Sequence, residues 1–224
     1  MRHFIVIALL GVAAVSLADE HGDVLLEIGL RSSCFELRDS RRGAGRHYLG
    51  SLDELIEETD YLPLPFVNIR FGSYWALGLG YDAFRIKTWS RSDSGGGEIG
   101  HSDGTIDVSG PSVSAQFCLP NRTRYTPFVE ASLLLYNTSF DHLDSWRNAR
   151  GDANSHVLDI HDENGFRLGL GCAISLAKDW SLVLTAERTY LEVDAIYYLY
   201  GRLADTTTFP LDNTRYGIGV KYRL

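Results

Sequence analysis

Along the last eleven residues, Thr214 to Leu224, side chains of two kinds alternate without a break. Tyr216, Ile218, Val220, Tyr222 and Leu224 share one parity; Arg215, Gly217, Gly219, Lys221 and Arg223 share the other. Successive side chains of a strand point to opposite faces, so this segment predicts one apolar face and one face of glycine and cations. Lipid against the first face and a barrel interior against the second account for both halves of the pattern. The same period of two recurs in about eight segments, near 22–36, 61–71, 75–89, 105–119, 125–139, 165–177, 180–198 and 213–224. Each can supply the roughly 9–11 residues that a tilted strand needs to cross hydrocarbon, and the longer ones are expected to project beyond it.

The connections alternate in length. Long ones at 37–60, 90–104, 140–164 and 200–212 interleave with tight ones at Gly72-Ser73-Tyr74, Pro120–Arg124 and Ala177-Lys178-Asp179. Outer-membrane barrels have short periplasmic turns, longer extracellular loops and an even strand number. The expected fold is therefore all-β, an eight-stranded antiparallel transmembrane up-and-down β-barrel. A soluble lipocalin-like barrel also has eight alternating strands, but it would turn the apolar set inward, against the glycine-rich second set seen here.

Parity assigns the faces. In the sixth segment Phe166, Leu168, Leu170, Cys172, Ile174 and Leu176 face lipid, opposite Gly165, Arg167, Gly169, Gly171, Ala173 and Ser175. The same sorting sends Glu27, Arg31, Asn68, Arg70, Asp82, Gln116, Glu130, Glu187, Arg215 and Lys221 inward. Eight strands enclose only enough space for side chains to fill, and buried charges must be paired. The sequence thus predicts a plugged or constricted lumen, not a wide pore, with a polar network of Glu27, Arg31, Arg70, Asp82, Glu130, Arg167, Glu187, Arg215 and Lys221. Glu27, Glu130 and Glu187 are the candidate partners for Arg215 and Lys221. Phe66, Phe128, Leu134 and Tyr136 also fall on the inner parity and suit an apolar upper cavity. Tyr74, Trp75, Tyr125, Trp180, Tyr216 and Tyr222 sit beside tight turns or in the last strand, as an aromatic girdle at the headgroup layer would.

Composition narrows the compartment. Met1-Arg2-His3, the apolar run Phe4–Val15 and Ser16-Leu17-Ala18 form a secretory signal peptide, residues 1–18, cut after Ala18. That leaves residues 19–224 as one barrel domain for the outer membrane, with outer-membrane lipid as its surroundings. Arginine and lysine number 21 against 29 acids, a net −8, which disfavours nucleic acid as a partner. Cys34, Cys118 and Cys172 are an odd number, contrary to a disulfide framework.

Candidate chemistry changes little. His156-Val-Leu-Asp159-Ile-His161-Asp162 has metal-donor types but no established zinc spacing, and reads as a solvated loop. His101-Ser102 and Ser155-His156 are sequence neighbours, which does not make a nucleophile and its base. Gly95-Gly96-Gly97 lacks the lysine and helix of a phosphate loop and reads as a loop tip. Leu52–Glu58 follows Ser51 with apolar residues at helical spacing, predicting a short helix at the rim. No cofactor, metal or enzymatic activity is expected.

Several stretches together resemble the OmpW type of small outer-membrane barrel, within the OmpA-like and OmpX-like eight-stranded group. They are Pro127-Phe-Val-Glu-Ala131, Gly165-Phe-Arg-Leu-Gly-Leu-Gly171, Lys178-Asp-Trp-Ser-Leu182 and Tyr216-Gly-Ile-Gly-Val-Lys-Tyr222. Such barrels usually end in Phe where this chain has Leu224. The resemblance implies a narrow channel for small hydrophobic solutes, with lateral escape into the membrane, and recognition of the C-terminal strand by the barrel assembly machinery. A structural or adhesive barrel using its long loops is the second expectation, and a lipid-modifying barrel enzyme ranks last.

Overall fold

The computed structural model describes residues 24–38, 54–58, 63–94, 97–101, 104–143 and 156–224. The expected signal peptide, 1–18, lies outside them, as do Gly95 and Gly96. Eight staves form the wall: β1 (Val24–Leu37), β3 (Leu64–Phe71), β4 (Trp75–Ser94), β6 (Gly104–Cys118), β7 (Tyr125–Leu135), β10 (Asn164–Ser175), β11 (Trp180–Tyr190) and β14 (Asn213–Arg223). Each pairs antiparallel with the next in chain order, and β14 returns to β1 through Glu27↔Arg223 to Leu37↔Asn213. The sheet is closed, so no backbone edge faces lipid within the wall.

The closure has a measurable stagger. Paired residues lead once round the wall from Leu26 through Ile69, Leu77, Ala115, Ala131, Leu168, Arg188 and Thr214 to Glu36. The path leaves β1 at position 26 and rejoins it at position 36, a shear of ten residues. With about 3.3 Å per residue and about 4.8 Å between strands, eight strands so staggered tilt by about 40° and enclose a wall of about 8 Å radius. Only side chains fit inside.

Two of those inner side chains show how the fit is made. The ring of Phe66 lies over Gly29 and that of Phe128 over Gly171, where a Cβ would meet the rings at 2.4 and 2.2 Å. The glycines of the inner face are spaces for the aromatic rings of neighbouring strands.

The outer face carries Leu26, Ile28, Leu30, Leu77, Leu133, Leu168, Leu170, Leu184, Ile218 and Val220, all exposed. A continuous apolar band of this size on a closed barrel is a lipid-facing surface. Because Ile218 sits between Tyr216 and Tyr222 on that band, Ile218→Arg is expected to cost about 2–4 kcal/mol, whereas Tyr222→Arg, at the rim, should cost about 0–1 kcal/mol. Urea unfolding in lipid vesicles measures both, and equal costs would remove the assignment of faces.

The segments expected to be long loops contain strands. β2 (Glu54–Glu58) pairs with β4 at Arg85–Trp89, and β5 (Gly97–His101) pairs with the end of β4. β8 (Asn137–His142) continues β7 alongside β6, while β9 (His156–Ile160), β12 (Glu192–Leu199) and β13 (Arg202–Pro210) form a separate three-stranded sheet. Three expectations are thereby corrected: the segment 180–198, expected as one wall strand, breaks at Leu191, and its second part, β12, leaves the wall for the separate sheet. Residues 54–58 are strand and not helix: Leu55 is buried and Ile56 exposed, because the edge that β4 presents above β3 is paired by this segment. Backbone pairing in context outweighs a local helical spacing. His156–Ile160 is likewise a strand, paired edge to edge with β12, with Leu158 and Ile160 buried.

Candidate functional site, a layered barrel interior

The inward parity of the staves places charge in layers. Nearest the tight turns, Glu27 accepts from Lys221 Nζ at 2.7 Å and from Arg70 Nη1 at 3.4 Å, with Arg223 at 3.9 Å. Glu130, further in, accepts from Gln116 Nε2 at 2.6 Å and from Ser132 Oγ at 3.0 Å. Glu187 accepts from Arg31 Nη1 at 2.5 Å and lies 3.5 Å from Arg167.

Asp82 sits at the top of this stack. It accepts hydrogen bonds from Tyr136 Oη, from Arg167 Nη2 and, at 2.6 Å, from Arg215 Nη1. The two arginines are held in turn: Arg167 Nε donates to Thr189 at 3.1 Å, and Arg215 Nε donates to Asn213 at 3.0 Å. Asp82 and both arginines are buried, so each attraction acts in a medium far less screening than water. The guanidinium of Arg215 also lies 4.6 Å from the Phe84 ring centroid.

Above Asp82 the interior changes character. Phe84, Ile86, Ile106, Val108, Val193 and Phe209 are buried together with Leu134, Tyr136 and Tyr197. A smaller cluster of Cys118, Phe128 and Val183 lies at the opposite end. The described interior is therefore apolar at its loop end and crossed by ion pairs from its middle to the tight turns.

All nine charged residues expected in the lumen project into it, but the pairing differs from the expectation at two points, the first being Glu130, which is held by Gln116 and Ser132 and takes neither Arg215 nor Lys221. Arg215 stands beside Glu187 on adjacent strands and reaches across the lumen to Asp82 instead. Glu187 is already engaged by Arg31 and Arg167. Phe128 belongs to the lower cluster and not to an upper cavity, because its strand enters at the tight-turn end. Tyr136, taken from parity as an apolar wall residue, donates its hydroxyl to Asp82. Its parity was legible; its partner lies 54 residues away on another stave and left no local signal.

The aromatic residues fall into two belts. By register and tilt, Trp75, Tyr125, Trp180 and Tyr222 lie within about 5 Å of one another in height, with Tyr74 beside them. Tyr216 stands about 15 Å higher, near Tyr81. Trp180 packs on Tyr222 with centroids 5.0 Å apart, and Trp75 on Phe117 at 4.9 Å. Among the described residues no three His, Cys, Asp or Glu side chains gather as a metal site. Cys34, Cys118 and Cys172 are free thiols on different staves.

Fold and layering together define a transmembrane eight-stranded antiparallel barrel of the small outer-membrane kind, with a charged interior. Three solved structures share this fold. OprG of Pseudomonas aeruginosa has a TM-score of 0.60 and 14% identity over 91% of this chain and 96% of its own. OmpW of E. coli gives 0.56 and 18% over 91% of this chain and all of its own, and AlkL gives 0.54 and 18% over 91% and 90%. No protein-family model matches the sequence, and no curated protein sequence does.

Proposed function

We propose that the protein resides in the outer membrane and admits small hydrophobic molecules into the loop end of its barrel. The single observation that supports this is the division of the interior at Asp82, with an apolar lining above and an ionic layer across the axis below. An apolar solute can replace side-chain contacts above that layer, but carrying it down the axis would mean breaking paired buried charges. Its way out is the bilayer. In vesicles, the purified barrel is expected to speed entry of a small apolar solute over empty vesicles while leaving a small ion near the background rate. Ion flux equal to solute flux would overturn the proposal.

A second reading is a structural or adhesive barrel. What favours it is the length of β4, 20 residues, which with β2, β5, β8 and the three-stranded sheet extends the wall well beyond the lipid band. Solute entry no faster than in empty vesicles would favour this reading over the first.

A further inference from the structure

Charge is arranged differently at the two rims of the wall. At the loop end the outward-facing Arg85 and Arg188 stand beside carboxylates, Asp107 at 2.6 Å and Asp212 at 3.8 Å. At the tight-turn end the cations stand alone. Arg122, Arg124 and Lys178 are exposed and form no ion pair among the described residues.

The wall brings these three cations together. Arg122 and Arg124 belong to the turn between β6 and β7, which is held by Asn121 Oδ1 accepting from Thr123 N at 2.8 Å. Lys178 belongs to the turn between β10 and β11, and Ser175 N donates to Arg124 O at 2.8 Å, so the two turns lie side by side. Half-buried Asp179 is the one acid of these turns, and three cations less one acid leave two positive charges. Asp19, Glu20 and Asp23 precede β1 in sequence, and β1 stands four staves from β7, on the far side of the cylinder.

Depth identifies the partner. By register and tilt, Tyr125 and Trp180 lie in the lower aromatic belt, and the three cations lie just beyond it, away from the hydrocarbon. Arg124 extends over the Tyr125 ring, 5.1 Å from its centroid, and so starts from the belt itself. Leu119 and Leu176, 50% and 64% exposed, carry the lipid-facing surface down to the same turns. A phosphate at that depth belongs to the membrane.

We infer that the paired turns bind an anionic phospholipid of the leaflet that meets them, with its phosphate at Arg122, Arg124 and Lys178 and its acyl chains against Leu119, Tyr125 and Leu176. Charge selects the headgroup, because a zwitterionic lipid brings a cation of its own to the patch and an anionic one does not. Each basic side chain adds to the attraction, and salt weakens it. The site stands whether or not any solute crosses the barrel.

Phosphatidylglycerol and phosphatidylcholine of matched acyl chains are the probes. The whole barrel in a neutral detergent, given equal amounts of both, should retain phosphatidylglycerol about tenfold in preference at low salt when its bound lipids are weighed by native mass spectrometry. Equal retention would overturn the inference. Arg122→Gln and Lys178→Gln should each lower the preference by about two- to threefold, whereas Arg202→Gln, exposed on β13 at the loop end, should leave it unchanged. A preference that persists when Arg122, Arg124 and Lys178 are all changed to Gln, in protein that keeps its compact heat-sensitive band, would sink the site. Wild-type protein gives an independent reading: rising salt should erase the preference, and a preference indifferent to salt would count against charge as its cause. Excess glycerol phosphate should fail to displace the lipid, since it has no acyl chains to set against Leu119 and Leu176. Displacement by it would show a phosphate site open to water and overturn the assignment to lipid.

Discussion

Asp82→Ala is expected to destabilise the barrel by about 3–5 kcal/mol, the range for removing one partner from a buried ion pair. The cost comes from what remains. Arg167 and Arg215 would keep their charges at 3% and 2% exposure, with the acceptor that both share removed. Tyr136 would lose its acceptor as well. Asp107→Ala, which breaks the exposed pair with Arg85, is the matched control and should cost about 0–1 kcal/mol. Urea titration in lipid vesicles, followed by the loss of the compact heat-sensitive band, compares the two. Equal costs would mean that water already screens the arginines and that the ionic layer does not hold the barrel closed.

Gly110→Val should cost about 3 kcal/mol or more, at the upper end for overpacking, because the atoms it meets are backbone. A Cβ at Gly110 would lie 1.9 Å from the Leu135 carbonyl oxygen and 3.0 Å from Tyr136 Cα. At this point β6 passes from β7 to β8: Ser112 pairs with Leu134 and Ser109 with Asn137. The register is unchanged across the step, but Pro111 has no N–H to give the ladder. The Leu135 carbonyl opposite it therefore receives no ladder bond from Pro111, while on the other side Tyr136 N donates to Glu163 O at 3.1 Å and continues the pairing with β10. Gly110 allows the two chains to approach closely there, and on its other side it pairs with Asp82. A valine would push Tyr136 and Asp82 apart, so the loss should appear together with a weakened ionic layer. Ser109→Val, one residue on, points outward and serves as the control. Similar stability of the two variants would show that the wall can relax at Gly110.

The sequence showed most of the wall because lipid outside and a filled lumen inside impose one strict rule on every stave. Leu26, Ile28 and Leu30 against Glu27 and Arg31 obey it, as do Phe166, Leu168 and Leu170 against Arg167. Beyond the lipid band the rule lapses, and parity no longer assigns the elements. Leu55 and Ile56 could be read as a helix stripe or as two faces of a strand, and only the pairing with β4 decides between them. Leu158 and Ile160 were hidden among His156, Asp159 and His161 in the same way. Within the lumen, parity could say which charges face inward but not how high each stands. Height depends on the ten-residue stagger, a property of the closed wall and of no single segment. That is why Arg215 seemed destined for a glutamate and meets Asp82.

The joining of β1 to β14 sets the order in which the molecule can be made. Every other neighbouring pair of staves comes from adjacent parts of the chain, whereas Lys221 and Glu27 are 194 residues apart. Contacts so distant in sequence form slowly, since the chain entropy of closing the loop is lost before they contribute. Until they form, two strands present unpaired N–H and C=O groups, each costing several kcal/mol in hydrocarbon. A partly zipped cylinder has no stable resting place in the bilayer, so entry into the membrane and final closure should occur as one slow, cooperative event.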